Sequence, residues 1–533
     1  MKHELKTLPS QWPIILAGVL LIGIAAFFFL NNQTPIVNQS NDPYPGYNVG
    51  DVYLPGKYVE LLPAREAKLE TGSTFALSAE IVQYEIGGKT VYGYAYNQQI
   101  PGPLIKVKKG DRITVQFTNN IDQPTTVHWH GLRLENKNDG VPGVTQEEVL
   151  PGESFTYTLD FPDEGLFWYH PHVREDMQQE LGLYGAILVS SAEGEPVYTE
   201  NVLVIDDIRM ENNQIAPFPE KETNFAVMGR FGNTFLVNGK TDYSLSLNAN
   251  TINRLYLLNT SNVRPYRLTI SGAKIKSVGA DVGKFGQPFL TNEIILAPSE
   301  RAIIDVVFQN PGEYMLTNDT PVAKTILAKF QIKENSGENQ TLNLEANLEA
   351  QADIEQYREY FDDPVAQTYE LTIRWPVMDT MMKNMQHGGM EMKQGMGHTE
   401  QSTIEWEDEM EGVNAITTNE EVTWIIRDEK TKKENMDFNW NVKKGDIKKI
   451  RIKNLSESSH PMQHPIHLHG NRFLVLTQNG KTNQHLVWKD TVLIPQGEEV
   501  ELLVEFTNPG EWMLHCHIAE HLSSEMMTSV MVE

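Results

Sequence analysis

The sequence predicts an all-β chain of three β-sandwich domains, and three observations carry that prediction. Short alternating apolar runs separated by Gly, Pro, Asn and Asp turns dominate the 533 residues, the pattern of half-buried antiparallel strands. A turn signal also repeats. Ile105, Val107, Ile113, Val115 and Phe117 flank Lys108-Lys109-Gly110-Asp111, and the device returns as Val442-Lys443-Lys444-Gly445-Asp446 before Ile450 and Ile452. A third signal occurs three times: Phe161-Pro-Asp-Glu-Gly165, Phe308-Gln-Asn-Pro-Gly312 and Phe506-Thr-Asn-Pro-Gly510 each lead into a strand. Self-similarity at this spacing marks repeated domains.

Taken in order, the chain opens with Lys2 and Lys6, an apolar run from Ile14 to Leu30, then polar Asn31, Asn32 and Gln33. The run is just long enough to span a bilayer core. No small-x-small cleavage site follows it, so residues 1–30 read as an uncleaved membrane anchor, with a cleaved signal as the alternative. With no further Lys or Arg until Lys57, the N-terminus should stay inside and the bulk should be exported. The expected location is extracytoplasmic and membrane-anchored, or else secreted or periplasmic. Residues 31–60 form a tether. Domains are expected at 61–195, 196–335 and 366–533, with 336–365 a polar, partly helical linker.

Composition bounds the function. The chain is 40% hydrophobic and 22% charged, as in globular proteins. A net charge of −27 argues against nucleic acid and against docking on anionic membranes. One cysteine, Cys516, leaves an exported chain without an intramolecular disulfide.

Ten of the 15 histidines fall in four clusters: His128-Trp-His130, His170-Pro-His172, His464-Pro-Ile-His467-Leu-His469, and His515-Cys516-His517 with His521. On a strand, residues i and i+2 point to the same face, so each His-x-His offers two imidazoles to one side. One such pair would mean little; four, at equivalent points of the first and last domains, do not. If those domains pack face to face, eight imidazoles converge. Imidazole alone suits copper, iron or zinc. Cys516 narrows the choice, because it points away from His515 and His517 and meets His464 and His521. Two imidazoles and a thiolate with a long axial thioether, here Met526, make the blue-copper geometry.

These residues resemble the multicopper oxidase family from about residue 61 onward. All four family motifs stand as His128-Trp-His130-Gly, His170-Pro-His172, His464-Pro-Ile-His467-Leu-His469-Gly and His515-Cys516-His517-x3-His521-x4-Met526. The resemblance implies three cupredoxin-like Greek-key domains and four copper ions. It implies a type 1 copper on His464, Cys516, His521 and Met526, and a type 2 copper on His128 and His467. One type 3 copper would take His130, His170 and His517, its partner His172, His469 and His515. Electrons would enter at the type 1 copper, and dioxygen would leave as two waters. Asp139 matches a family carboxylate that assists proton delivery. A second carboxylate, common directly after the last type 1 histidine, is Leu522 here, which leaves a second proton route to water or Glu520.

The reducing substrate is read from methionines. Met378, Met381, Met382, Met385, Met390, Met392 and Met396 crowd a polar stretch without apolar periodicity. Thioethers prefer Cu(I), and Met462 extends the path toward His464. Cuprous oxidases of the family carry similar inserts, which implies Cu(I) oxidation and copper tolerance with laccase-like side activity. The alternatives are a phenol, Fe(II) or Mn(II) oxidase and, with every ligand in place, least of all a copper-sequestering scaffold.

Overall fold

The computed structural model describes residues 58–191, 198–219, 221–335, 339–380 and 403–533. Three two-sheet sandwiches follow one another. In the first, the strands Val59–Glu60, Thr74–Ile86, Arg112–Asn120 and Ser154–Asp160 lie side by side, with Lys89–Tyr96 also on Thr74–Ile86. They face a sheet ordered Glu66–Lys68, Gly102–Lys108, Gly185–Ser190, Gly165–His170 and His128–His130. The second sandwich joins a six-stranded and a five-stranded sheet, and the third a seven-stranded and a five-stranded one. The linker contributes the helix Leu348–Glu355, capped by the Asn347 side chain on the Ala350 amide.

The sheets are mixed rather than purely antiparallel. Thr74–Ile86 runs parallel to Arg112–Asn120, and Gly102–Lys108 parallel to Gly185–Ser190. The reason is connectivity: the chain crosses between sheets, so neighbours within a sheet are often not consecutive and can run the same way.

The repeated turns are the same turn physically. Asp111 accepts from the Lys108 amide at 2.8 Å and Asp446 from the Lys443 amide at 3.0 Å. Gly165, Gly312 and Gly510 take φ of 150°, 147° and 134°, a region that side chains disfavour. The phenylalanines that open these turns, Phe161, Phe308 and Phe506, are all buried.

One continuous core runs through the first and third sandwiches and includes Trp129, Tyr169, Ile466, Leu514, Cys516 and Met526. The middle sandwich keeps its own core around Leu203, Leu257, Ile304 and Phe330. A smaller apolar layer with Leu166, Trp168, Leu258 and Ile303 joins it to the first. Among the described residues no helix is long and apolar enough to cross a membrane; the run from residue 14 to 30 lies outside them.

Candidate metal centre

Strand alternation explains why histidines gather. In the first sandwich His128 is paired with His170, Trp129 with Tyr169 and His130 with Trp168. Trp129 and Tyr169 turn into the core at 0% exposure, which sends His128, His130 and His170 to the other face. In the third sandwich Ile466 pairs with Cys516 and His467 with His515. The histidine face of each domain meets that of the other. The His130 and His467 rings stack with centroids 3.7 Å apart, and those of His128 and His469 lie 4.0 Å apart.

Three triads result, each with ligand atoms mutually within 4.8 Å: His128, His130 and His467; His130, His170 and His517; His172, His469 and His515. His130 belongs to two of them. The nitrogens turned inward, among them Nε2 of His128, His170, His172 and His467, are buried without a hydrogen-bond partner. Buried polar atoms are rarely left unpaired, so several orphans aimed at one space fit a group of cations. Burial first, and then the neighbouring imidazoles, holds His170, His172, His469 and His515 well below the usual histidine range. They therefore stay neutral, the form that binds metal.

The far side of each ring is fixed. Nδ1 bonds to Asp139 O for His128 (2.8 Å), Pro171 O for His170 (2.8 Å) and Asp490 O for His467 (2.9 Å). His515 uses Cys516 O at 2.9 Å, and His469 uses the Asp139 carboxylate at 2.8 Å. Asp139 thus steadies one ligand from each domain at 1% exposure. His130 is reversed: its Nε2 meets Asp490 Oδ1 at 3.0 Å, and its Nδ1 is the orphan.

Behind His515 and His517, Cys516 forms a second site. Its Sγ lies 3.5 Å from His464 Nδ1 and 3.8 Å from His521 Nδ1, and those nitrogens are 3.3 Å apart. Imidazole and thiolate donors at about 2.0–2.3 Å around one ion in a plane stand roughly 3.5–3.8 Å apart, so the triangle fits a trigonal ion. Burial pushes the thiol up; a cation at this point is what would release its proton. Trp424 stacks on His521 at 4.0 Å and meets His464 edge-on at 4.9 Å. Met526 is fully buried in the same core, its carbonyl accepting from the Cys516 amide at 3.1 Å.

The remaining expected residues are scattered. Leu522 packs with Val141 and Met513. Glu520 accepts from Asn262 at 3.1 Å, and burial pushes its carboxyl up to about 8. Met462 is wholly buried, and Met378 is half-buried against the core. Met381, Met382, Met385, Met390, Met392 and Met396 lie outside the described residues. Some neighbours went unread in the sequence. Glu175, buried, has Oε1 3.2 Å from His172 Nδ1. Half-buried His460 has Nε2 3.1 Å from the sulfur of buried Met228, a middle-domain residue, and its ring lies 6.3 Å from that of Trp424. None of these belongs to a local motif.

Comparison with known proteins agrees with this geometry. Three multicopper oxidase family models match residues 79–194, 202–338 and 385–533. A multicopper oxidase of Staphylococcus aureus is 27% identical over 450 residues, 82% of this chain and 83% of its own. Copper resistance protein A of Escherichia coli is 26% identical over 288 residues, 45% of this chain and 47% of its own. The structure of a Campylobacter jejuni multicopper oxidase, described as a metallo-oxidase, superposes with a TM-score of 0.68. It is 24% identical and covers 94% of this chain and 99% of that one; at that identity the likeness is one of fold. With three cupredoxin-like sandwiches and histidine clusters that fit copper, the chain belongs to the multicopper oxidase family, four-copper oxidoreductases that pass electrons from a reducing substrate to dioxygen.

Proposed function

We propose that this chain is a cuprous oxidase serving copper tolerance, with oxidation of phenols as a side activity. On this reading His464, Cys516, His521 and Met526 hold the type 1 copper, and His128 with His467 the type 2. His130, His170 and His517 hold one type 3 ion, and His172, His469 and His515 the other. Copper bound there supplies one-electron oxidation of substrate and four-electron reduction of dioxygen to water. The protein contributes the wiring: Cys516 is bonded in the chain to His515 and His517, so a few covalent bonds link the two sites. Asp139, hydrogen-bonded to His469, assists proton delivery.

The observation that carries the choice of Cu(I) is the pair His460 and Met228. A half-buried imidazole with a thioether 3.1 Å away is a soft donor set of the kind Cu(I) favours. It stands one aromatic ring, Trp424, from both type 1 imidazoles. The methionine-rich stretch from 378 to 396 and the copper-resistance relative support the same reading.

Steady-state kinetics on Cu(I), Fe(II) and a phenol test it, with Met228→Leu and with residues 378–398 deleted. Losing a soft ligand should lower kcat/KM for Cu(I) by about tenfold or more and leave phenol turnover unchanged. Equal effects on both substrates reject Cu(I) as the donor. We further propose an extracytoplasmic location with residues 1–30 as the anchor.

A further inference from the structure

The middle sandwich supplies no histidine, yet it reaches the trinuclear centre. Arg301, on its strand Arg301–Val306, is buried at 1% exposure. Its guanidinium grips both oxygens of Asp490 in the third sandwich, with Nη1 2.6 Å from Oδ1 and Nη2 on Oδ2. Asp490 Oδ1 in turn accepts from His130 Nε2 of the first sandwich at 3.0 Å, and the Asp490 carbonyl accepts from His467 Nδ1 at 2.9 Å. Thr491 Oγ1 closes the ring, 3.1 Å from His130 Nε2 and 2.8 Å from Asp490 Oδ1. Asp490 and the side chains of Arg301 and His130 are at 0% exposure.

Two features indicate more than an interdomain clasp. Among the imidazoles hydrogen-bonded behind the cluster, His130 alone is held through Nε2 and offers Nδ1 inward. An imidazole whose Nε2–H is donated to a carboxylate must present the lone pair of Nδ1. The second feature is Gly131, which follows His130 at φ 85°. A Cβ there would run into Asp490 Oδ2 and stand 2.9 Å from Arg301 Nη2. The clasp occupies the space a side chain would need, so the glycine of the first histidine motif belongs to this assembly.

We propose that Arg301 and Asp490 are positioning residues for the trinuclear centre, through which the ligand-free domain fixes the tautomer and direction of His130. Arg301 is itself steadied by the Leu166 carbonyl at 2.8 Å, the Ser299 carbonyl at 3.1 Å and the Asp281 carboxylate at 3.7 Å. Its fork therefore cannot follow Asp490 if the third sandwich shifts. A bidentate guanidinium–carboxylate pair fixes an angle as well as a distance. That angle is transmitted to the ring of a ligand shared by two triads.

The test compares Asp490→Asn and Arg301→Lys with the parent as copper-loaded full chains. Asparagine keeps the shape of Asp490 but can donate to His130, favouring the wrong tautomer. Lysine keeps the buried charge but not the fork. Readouts are copper per chain, type 1 visible absorption, the fraction of copper visible by electron paramagnetic resonance, and melting of the metal-free protein. The inference predicts unchanged type 1 absorption, loss of trinuclear copper or of its magnetically silent pair, and dioxygen consumption down about 10- to 100-fold with any electron donor. Arg301→Lys should show the smaller loss at the same copper, and its readouts alone decide the matter should Asp490→Asn yield no folded chain. Four coppers with an intact silent pair, and only a lower melting temperature, would reduce the clasp to an interdomain contact and overturn the proposal.

Discussion

Lowering the pH of the metal-free protein from 7.5 to 5.5 puts the buried imidazoles under direct strain. Nine of them (His130, His170, His172, His464, His467, His469, His515, His517 and His521) are held below the ordinary histidine range, burial being the largest cause for each, with His464 lowered to about 3. The folded chain keeps them neutral, while the unfolded chain protonates them near pH 6.5. Above pH 7 both states are neutral and nothing is lost. As pH falls through 6.5 the unfolded state takes up protons that the native state refuses, and stability falls. At pH 5.5 each such histidine removes about 1.4 kcal/mol, so nine contribute a loss of about 13 kcal/mol. The carboxyls of Glu175, Glu180, Asp206, Glu405 and Glu520, all raised by burial, take up protons in the native state over the same range and offset part of it. Copper loading removes the histidine contribution and leaves that of the carboxyls, so if only three histidines act the two proteins still differ in their pH response by about 4 kcal/mol, or roughly ten degrees in Tm. Calorimetry of apo and copper-loaded protein at the two pH values is the assay. Loaded protein should resist, because metal competes with protons for the same nitrogens. Apo and copper-loaded proteins whose Tm shifts equally between pH 7.5 and 5.5 would refute the reasoning.

Other outcomes follow from single positions. Cys516→Ser should remove the intense thiolate-to-copper absorption and substrate oxidation while the three histidine triads still take up copper; surviving colour refutes the type 1 assignment. Gly470→Ala should destabilise the third sandwich by about 2–4 kcal/mol, since φ is 60° and a Cβ there would run into the Trp512 ring; a urea midpoint equal to the parent's contradicts this. Removing residues 1–30 should release the protein from membranes on fractionation, and a chain that was never in the membrane fraction refutes the anchor.

What could be read from sequence was whatever strand periodicity writes locally. The His-x-His pairs, the inward turn of Trp129 and the opposed face of Cys516 all follow from side chains alternating at period two. The recurrent turns were legible too, because an Asp that accepts from an amide three residues back, or a Gly at positive φ, leaves its mark on composition. The parallel strand pairs were not legible, being set by crossovers between sheets. Nor were the partners of the site. Arg301 and Asp490 stand 189 residues apart, and Met228 and His460 stand 232 apart. No local pattern marks either pair, and only the docking of the sandwiches makes them neighbours.

The core that runs unbroken through the first and third sandwiches bears on the order of events during synthesis. His128, His130, His170 and His172 are made early, but His515 and His517 emerge within the last twenty residues of the chain. Until then two of the three histidine triads lack a member and the core shared by the two sandwiches is incomplete. A nascent chain can therefore capture stray copper only weakly, and the full complement loads once the third sandwich has closed on the first. Losing residues 510–533 would thus remove Cys516, His521 and Met526 from the second site and one histidine from each of two triads, and would uncover part of the core shared with the opening domain.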